Sequence, residues 1–129
     1  MAFYQNKTVR IPFDEAIAKV TESLKAEGFG VLTNIDISAK LKEKLGVDFR
    51  RYVILGACNP PLAYKALMAE DKIGVMLPCN IIIQQKSDNE IEIAAIDPEI
   101  TMQAIGNDNL LPVAREVSEK LKKVVASVR

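Results

Sequence analysis

Apolar positions recur along this chain with two periods, close to 3.6 residues in some stretches and close to two in others, and the period separates helix from strand. Residues 3 to 11 alternate weakly, with Tyr4, Val9 and Ile11 suited to a first strand. Pro12 then opens a helix in which Phe13, Ile17, Val20 and Leu24 share one face. Asp14 and Glu15 sit in its first turn, where the helix dipole favours acidic groups, and Gly28 stops it. Phe29 to Ile37 reads as a second strand. Ser38 is the expected N-cap of a short helix that ends at Gly46, anchored by Leu41 and Leu45.

Arg51 to Cys58 contains the near-continuous apolar run Tyr52-Val53-Ile54-Leu55, expected of a strand covered on at least one side. Asn59-Pro60-Pro61 is a strong helix start, because proline in the first turn gives up no hydrogen bond that the helix would have made. That helix turns Leu62, Ala63, Ala66 and Leu67 inward and fades near Asp71. Ile73 to Gln85 is expected as a strand interrupted by Pro78, which cannot donate to a ladder. Ser87-Asp88-Asn89 is a turn, and Ile91 to Ile96 is its hairpin partner with Ile91, Ile93 and Ala95 on one face.

Asp97-Pro98 repeats the cap-plus-proline signal and starts a short helix closed by Gly106, after which Asp108 or Asn109 is the expected cap of the last one. In that last helix Val113, Val117, Leu121, Val124, Val125 and Val128 form an unbroken apolar stripe that must lie on a sheet. The order of elements predicts an α+β fold with one mainly antiparallel sheet and the long helices packed on one face. With 129 residues and no linker or repeat, a single domain covering residues 1–129 is expected.

Composition narrows the partners. Seventeen basic and seventeen acidic residues cancel, so the long-range positive field that nucleic acid or an anionic membrane requires is missing. Neither nucleic acid nor membrane is expected as a partner, since no apolar run approaches the roughly 20 residues of a membrane span. The start Met1-Ala2-Phe3-Tyr4-Gln5-Asn6-Lys7 lacks the basic and apolar segments of a secretory leader, so a cytoplasmic location with reduced thiols is expected. There is no histidine, which removes Ser-His and Cys-His nucleophile pairs and the commonest general base at neutral pH.

Both cysteines precede asparagine at strand ends beside proline, in Leu55-Gly56-Ala57-Cys58-Asn59-Pro60-Pro61 and in Leu77-Pro78-Cys79-Asn80. Their spacing fits no zinc-ligand pattern, so no cofactor or metal site is assigned. Cys58, just before a helix start, is a candidate thiolate favoured by the dipole, the alternative being a small buried apolar residue. Asn59 and Asn80 are candidate ligand contacts unless spent as a cap and in a bulge. Asp36 joins them at a strand end, with a capping role as its alternative. Completing a soft-metal site within one chain would require Asp36 or Asp97. Gly28-Phe29-Gly30 lacks the lysine and remaining glycine of a phosphate loop.

The stretches Gly28-Phe29-Gly30-Val31-Leu32-Thr33 with Ile35-Asp36, Leu41 to Phe49, Ile54 to Ala63 and Leu77-Pro78-Cys79-Asn80 resemble the domain-of-unknown-function family numbered 302 across nearly the whole chain. That resemblance implies a domain similar to one half of the TATA-box-binding-protein fold with extra short helices, a homodimer, and no established activity. DNA binding does not follow from it. The expected function is small-ligand binding or interaction, with a pocket where Cys58, Asn59, Cys79, Asn80 and Asp36 gather. The alternatives are a thiol-dependent enzyme or redox protein using Cys58, a soft-metal-binding protein, and a purely structural dimer or adaptor.

Overall fold

The computed structural model describes residues 2–129. Met1, where the reading for a leader begins, lies outside them. The chain runs β1 (Tyr4–Val9), α1 (Phe13–Ala26), β2 (Gly30–Asp36), α2 (Ile37–Leu45), β3 (Tyr52–Cys58), α3 (Pro60–Ala69), β4 (Cys79–Ser87), β5 (Glu90–Ile96), α4 (Pro98–Thr101) and α5 (Leu111–Ser127). Short 3-10 turns at Asp71–Met76, Met102–Ile105 and Asp108–Leu110 fill the connections. The five strands form one sheet in the order β1-β5-β4-β3-β2, and each neighbouring pair is antiparallel. Because β1 and β2 occupy opposite edges, α1 must carry the chain across the full width of the sheet.

Alternation decides which side chains meet the helices. Val53, Leu55 and Ala57 on β3, Ile81 and Ile83 on β4, and Ile91, Ile93 and Ala95 on β5 are buried on one face. They pack against Phe13, Ala16, Val20 and Leu24 of α1 and Val117, Leu121, Val124 and Val125 of α5. Each fully buried aliphatic side chain contributes about 1.5–3 kcal/mol. The other face holds a polar chain: Arg50 Nε donates to Gln84 Oε1 at 2.8 Å, Gln84 Nε2 to Glu92 Oε1 at 2.7 Å, and Asn6 Nδ2 to Glu92 Oε2 at 2.9 Å. A second, smaller apolar cluster of Ala66, Ile73, Met102, Leu110 and Ala114 lies beyond α3.

The mainly antiparallel α+β fold is as the periodicity predicts, with local corrections. Asp36, not Ser38, caps α2: its Oδ1 accepts from Ala39 N at 2.9 Å, while Ser38 Oγ donates to that same carboxylate. Leu45, expected to anchor α2, is 69% exposed, and no residue of that helix is buried. Residues 73–77 are not strand. The backbone winds into a 3-10 turn that buries Ile73 and leaves Val75 89% exposed, and β4 begins only at Cys79, after the cis peptide Leu77–Pro78. Neither Asp108 nor Asn109 caps α5. Asn107 caps the preceding 3-10 turn by accepting from Asn109 N, and that turn runs directly into the helix. Among the described residues, no helix is long and apolar enough to cross a membrane.

Candidate functional site

The ends of β3 and β4 lie side by side, with Ala57 paired to Cys79, and the chain turns from β3 straight into α3. That turn is fixed by Asn59. Its Oδ1 accepts from Leu62 N at 3.3 Å, and its Nδ2 donates to Glu27 O at 3.3 Å, tying the start of α3 to the end of α1. Gly28 makes room for the tie. With φ +84° it closes α1 in the left-handed conformation, and a Cβ there would stand 3.1 Å from Asn59 Nδ2.

Between these strand ends, α3 and α5 lies a cavity of about 310 Å³. Leu62, Ala63, Ala66 and Leu67 of α3 form one wall, and Val113, Ala114 and Val117 of α5 form another. Ala57, Cys58, Leu77, Pro78, Cys79 and Met102 complete the lining together with Leu32, which is 66% exposed. The two apolar clusters each supply part of the lining, so the hollow follows the seam between them. Among the described residues, no charged side chain lines it.

Of the five expected site residues, Cys58, Asn59 and Cys79 meet in this cavity and two do not. Asn80 follows Cys79 on a strand, so its side chain leaves the opposite face, where it borders a shallow groove with Tyr4, Tyr52, Ile82 and Glu92. Asp36 lies at the far end of β2, and its carboxyl is held below the usual range by the Ser38 hydroxyl and the Ala39 N–H of its cap. Asp97 is spent likewise: its Oδ1 accepts from Ser118 Oγ at 2.6 Å and from Glu99 N at 3.2 Å. Neither carboxylate lines the cavity.

The helix start beside Cys58 offers an anion little. Pro60 and Pro61 carry no N–H, Leu62 N–H is taken by Asn59 Oδ1, and Ala63 N donates to Asn59 O at 2.8 Å. Cys79 is buried, and desolvation, with a smaller contribution from the nearby Cys58 thiol, pushes its pKa up to about 11. Cys58 is half-buried and both thiols are free. Among the described residues, no three His, Cys, Asp or Glu side chains gather to hold a metal ion.

Sequence reasoning missed Leu32, Met102, Val113, Ala114 and Val117 as lining residues. Val113 and Val117 are visible as part of the α5 stripe, but nothing local marks Met102, which reaches the cavity only through long-range packing.

Comparison with known proteins agrees with this architecture. A crystal structure of an uncharacterized conserved DUF302 protein from Bacillus stearothermophilus is 31% identical, covers 100% of both chains and superposes with a TM-score of 0.93. An uncharacterized protein of Aquifex aeolicus (strain VF5) is 24% identical over 130 residues, covering 98% of this chain and 83% of the relative. The family model described as domain of unknown function DUF302 matches residues 5–128, and the chain belongs to that family.

Proposed function

We propose that this protein is a non-enzymatic binding domain whose ligand is a small, uncharged, largely hydrocarbon molecule held between α3, α5 and the ends of β3 and β4. One observation carries the reading: a cavity of about 310 Å³, at the small end of the range of ligand sites, walled by carbon and sulfur with its one carboxamide already bonded at both ends. A charged or strongly polar organic ligand, which makes no bond to the thiols, would lose its hydration there without compensation. Titration with the neutral fluorophore N-phenyl-1-naphthylamine tests it. Binding that saturates at one site and is lost in Ala63→Phe, a half-buried wall position, is the expected result. Equal binding in the two proteins, or none in the unsubstituted one, would refute it.

The second reading, thiol chemistry at Cys58, draws on that residue's partial exposure at the cavity. It is weakened by the consumed N–H groups of α3. Alkylation at graded pH separates the two readings: a Cys58 that reacts with iodoacetamide no faster than a small model thiol removes the second. We further propose that the domain acts in the cytoplasm as a homodimer. The exposed Leu32, Ile35, Leu45, Val47 and Phe49 of the segment from β2 to the start of β3 support an apolar contact with a second copy. Sedimentation equilibrium of the protein and of a Leu45→Lys variant tests this. A monomer at every concentration would overturn it.

A further inference from the structure

We infer that the same cavity binds a soft monovalent metal ion, Cu(I), through the sulfur atoms of Cys58, Cys79 and Met102. The inference rests on the cavity described above but not on its taking an organic ligand. Both cysteines of the chain and one of its four methionines line this one hollow. The donor set is unusual for what it leaves out. The chain has no histidine, and no Asp or Glu lines the cavity, while the Asn59 carboxamide is occupied at both ends.

Donor chemistry then selects the ion. Calcium and magnesium take six or more oxygens, and zinc is held by thiolate, imidazole or carboxylate, so the thioether and the lack of a further nitrogen or oxygen donor suit it poorly. Thiolate and thioether sulfur are the soft ligands that select Cu(I), and a few of them suffice for it. Adjacent strand ends supply the two cysteines: the Ala57 to Cys79 pairing sets Cys58 one residue from the partner of Cys79. Met102, on the 3-10 turn after α4, lines the same cavity and supplies the third sulfur. On binding, each thiol forms a Cu–S bond and releases its proton to solvent, so two protons leave per metal and no electron is transferred.

Anaerobic titration of the full chain with Cu(I) buffered by bicinchoninate tests the inference. One equivalent is expected to transfer, with release of two protons and an X-ray absorption spectrum showing sulfur ligation alone. The double variant Cys58→Ala/Cys79→Ala, checked for native near-ultraviolet circular dichroism, is expected to lose the site, and Met102→Leu to weaken it about tenfold, or about 1.4 kcal/mol. Failure to take up Cu(I), nitrogen or oxygen ligation in the unsubstituted protein, or full uptake by the double variant would each overturn it. Zn(II) in tenfold excess is expected not to compete, and competition would also overturn it. If Cu(I) fails while N-phenyl-1-naphthylamine still binds, this inference falls and the reading of the cavity as an organic-ligand site stands.

Discussion

Cys58-Asn59 leaves a strand and Cys79-Asn80 enters one, and that difference gives the same dipeptide two unlike environments. At the first corner β3 ends with Cys58 and α3 follows directly after Asn59, both of these residues line the cavity, and the asparagine becomes a buried cap that ties two helices together. At the second, β4 has already begun, and alternation drives Cys79 inward and Asn80 out onto the opposite face. A repeated motif therefore carries no function by itself. The backbone conformation on either side decides which of its side chains meet.

The sharpest way to break the comparison is to truncate both asparagines. Asn59→Ala strands Leu62 N–H and Glu27 C=O, and is expected to cost about 3 kcal/mol in urea denaturation. Asn80→Ala is expected to stay within about 0.5 kcal/mol. Equal losses would show that the two corners are equivalent after all. The cysteines divide next, by pH. The Cys79 thiol is raised from 9.0 to about 11 in the fold, so from pH 9 to about 11 the unfolded state sheds a proton that the folded state keeps. Stability is full below pH 9 and falls across that window by about 2.7 kcal/mol, a loss that Cys79→Ala removes and Cys58→Ala does not.

A smaller effect is expected at Gly56, which is buried and pairs with Asn80. A Cβ there would collide with Thr33 Oγ1 and stand 2.7 Å from Pro78 Cγ, so Gly56→Ala is expected to cost about 2 kcal/mol. Gly30→Ala, with no atom within 4 Å of its Cβ position, is the control, expected to fall within about 0.5 kcal/mol. The smallest change is Leu45→Ala, also expected within about 0.5 kcal/mol in dilute protein, because its side chain is largely in water. A loss above 2 kcal/mol there would mean that α2 is anchored as the sequence pattern predicts.

What could be read from the sequence was whatever depends on near neighbours. Asn59-Pro60-Pro61 and Asp97-Pro98 mark helix starts because capping and proline geometry act within three residues, and the α5 stripe marks a sheet-covering helix because one face must be apolar. The 3-10 turn at Asp71–Met76 escaped, since Ile73-Gly74-Val75-Met76-Leu77 is as apolar as a strand and nothing local shows that Val75 would meet water. The strand order also escaped, because β1 and β2 sit on opposite edges through contacts far apart in sequence. The site was half legible: its two thiols could be named, but period-two alternation at Asn80 and the distant Met102 only become visible once the strands are paired.

The shared bond of Asn59 has one more consequence. Because a single carboxamide pins the carbonyl of the residue just after one helix to the first turn of another, anything that pushes α3 outward to admit a guest must stretch that pin. The amide hydrogen of Leu62 is thereby a natural reporter: its exchange with deuterated solvent should quicken as the hollow opens and slow once a guest has settled, giving a reading of occupancy that needs no label.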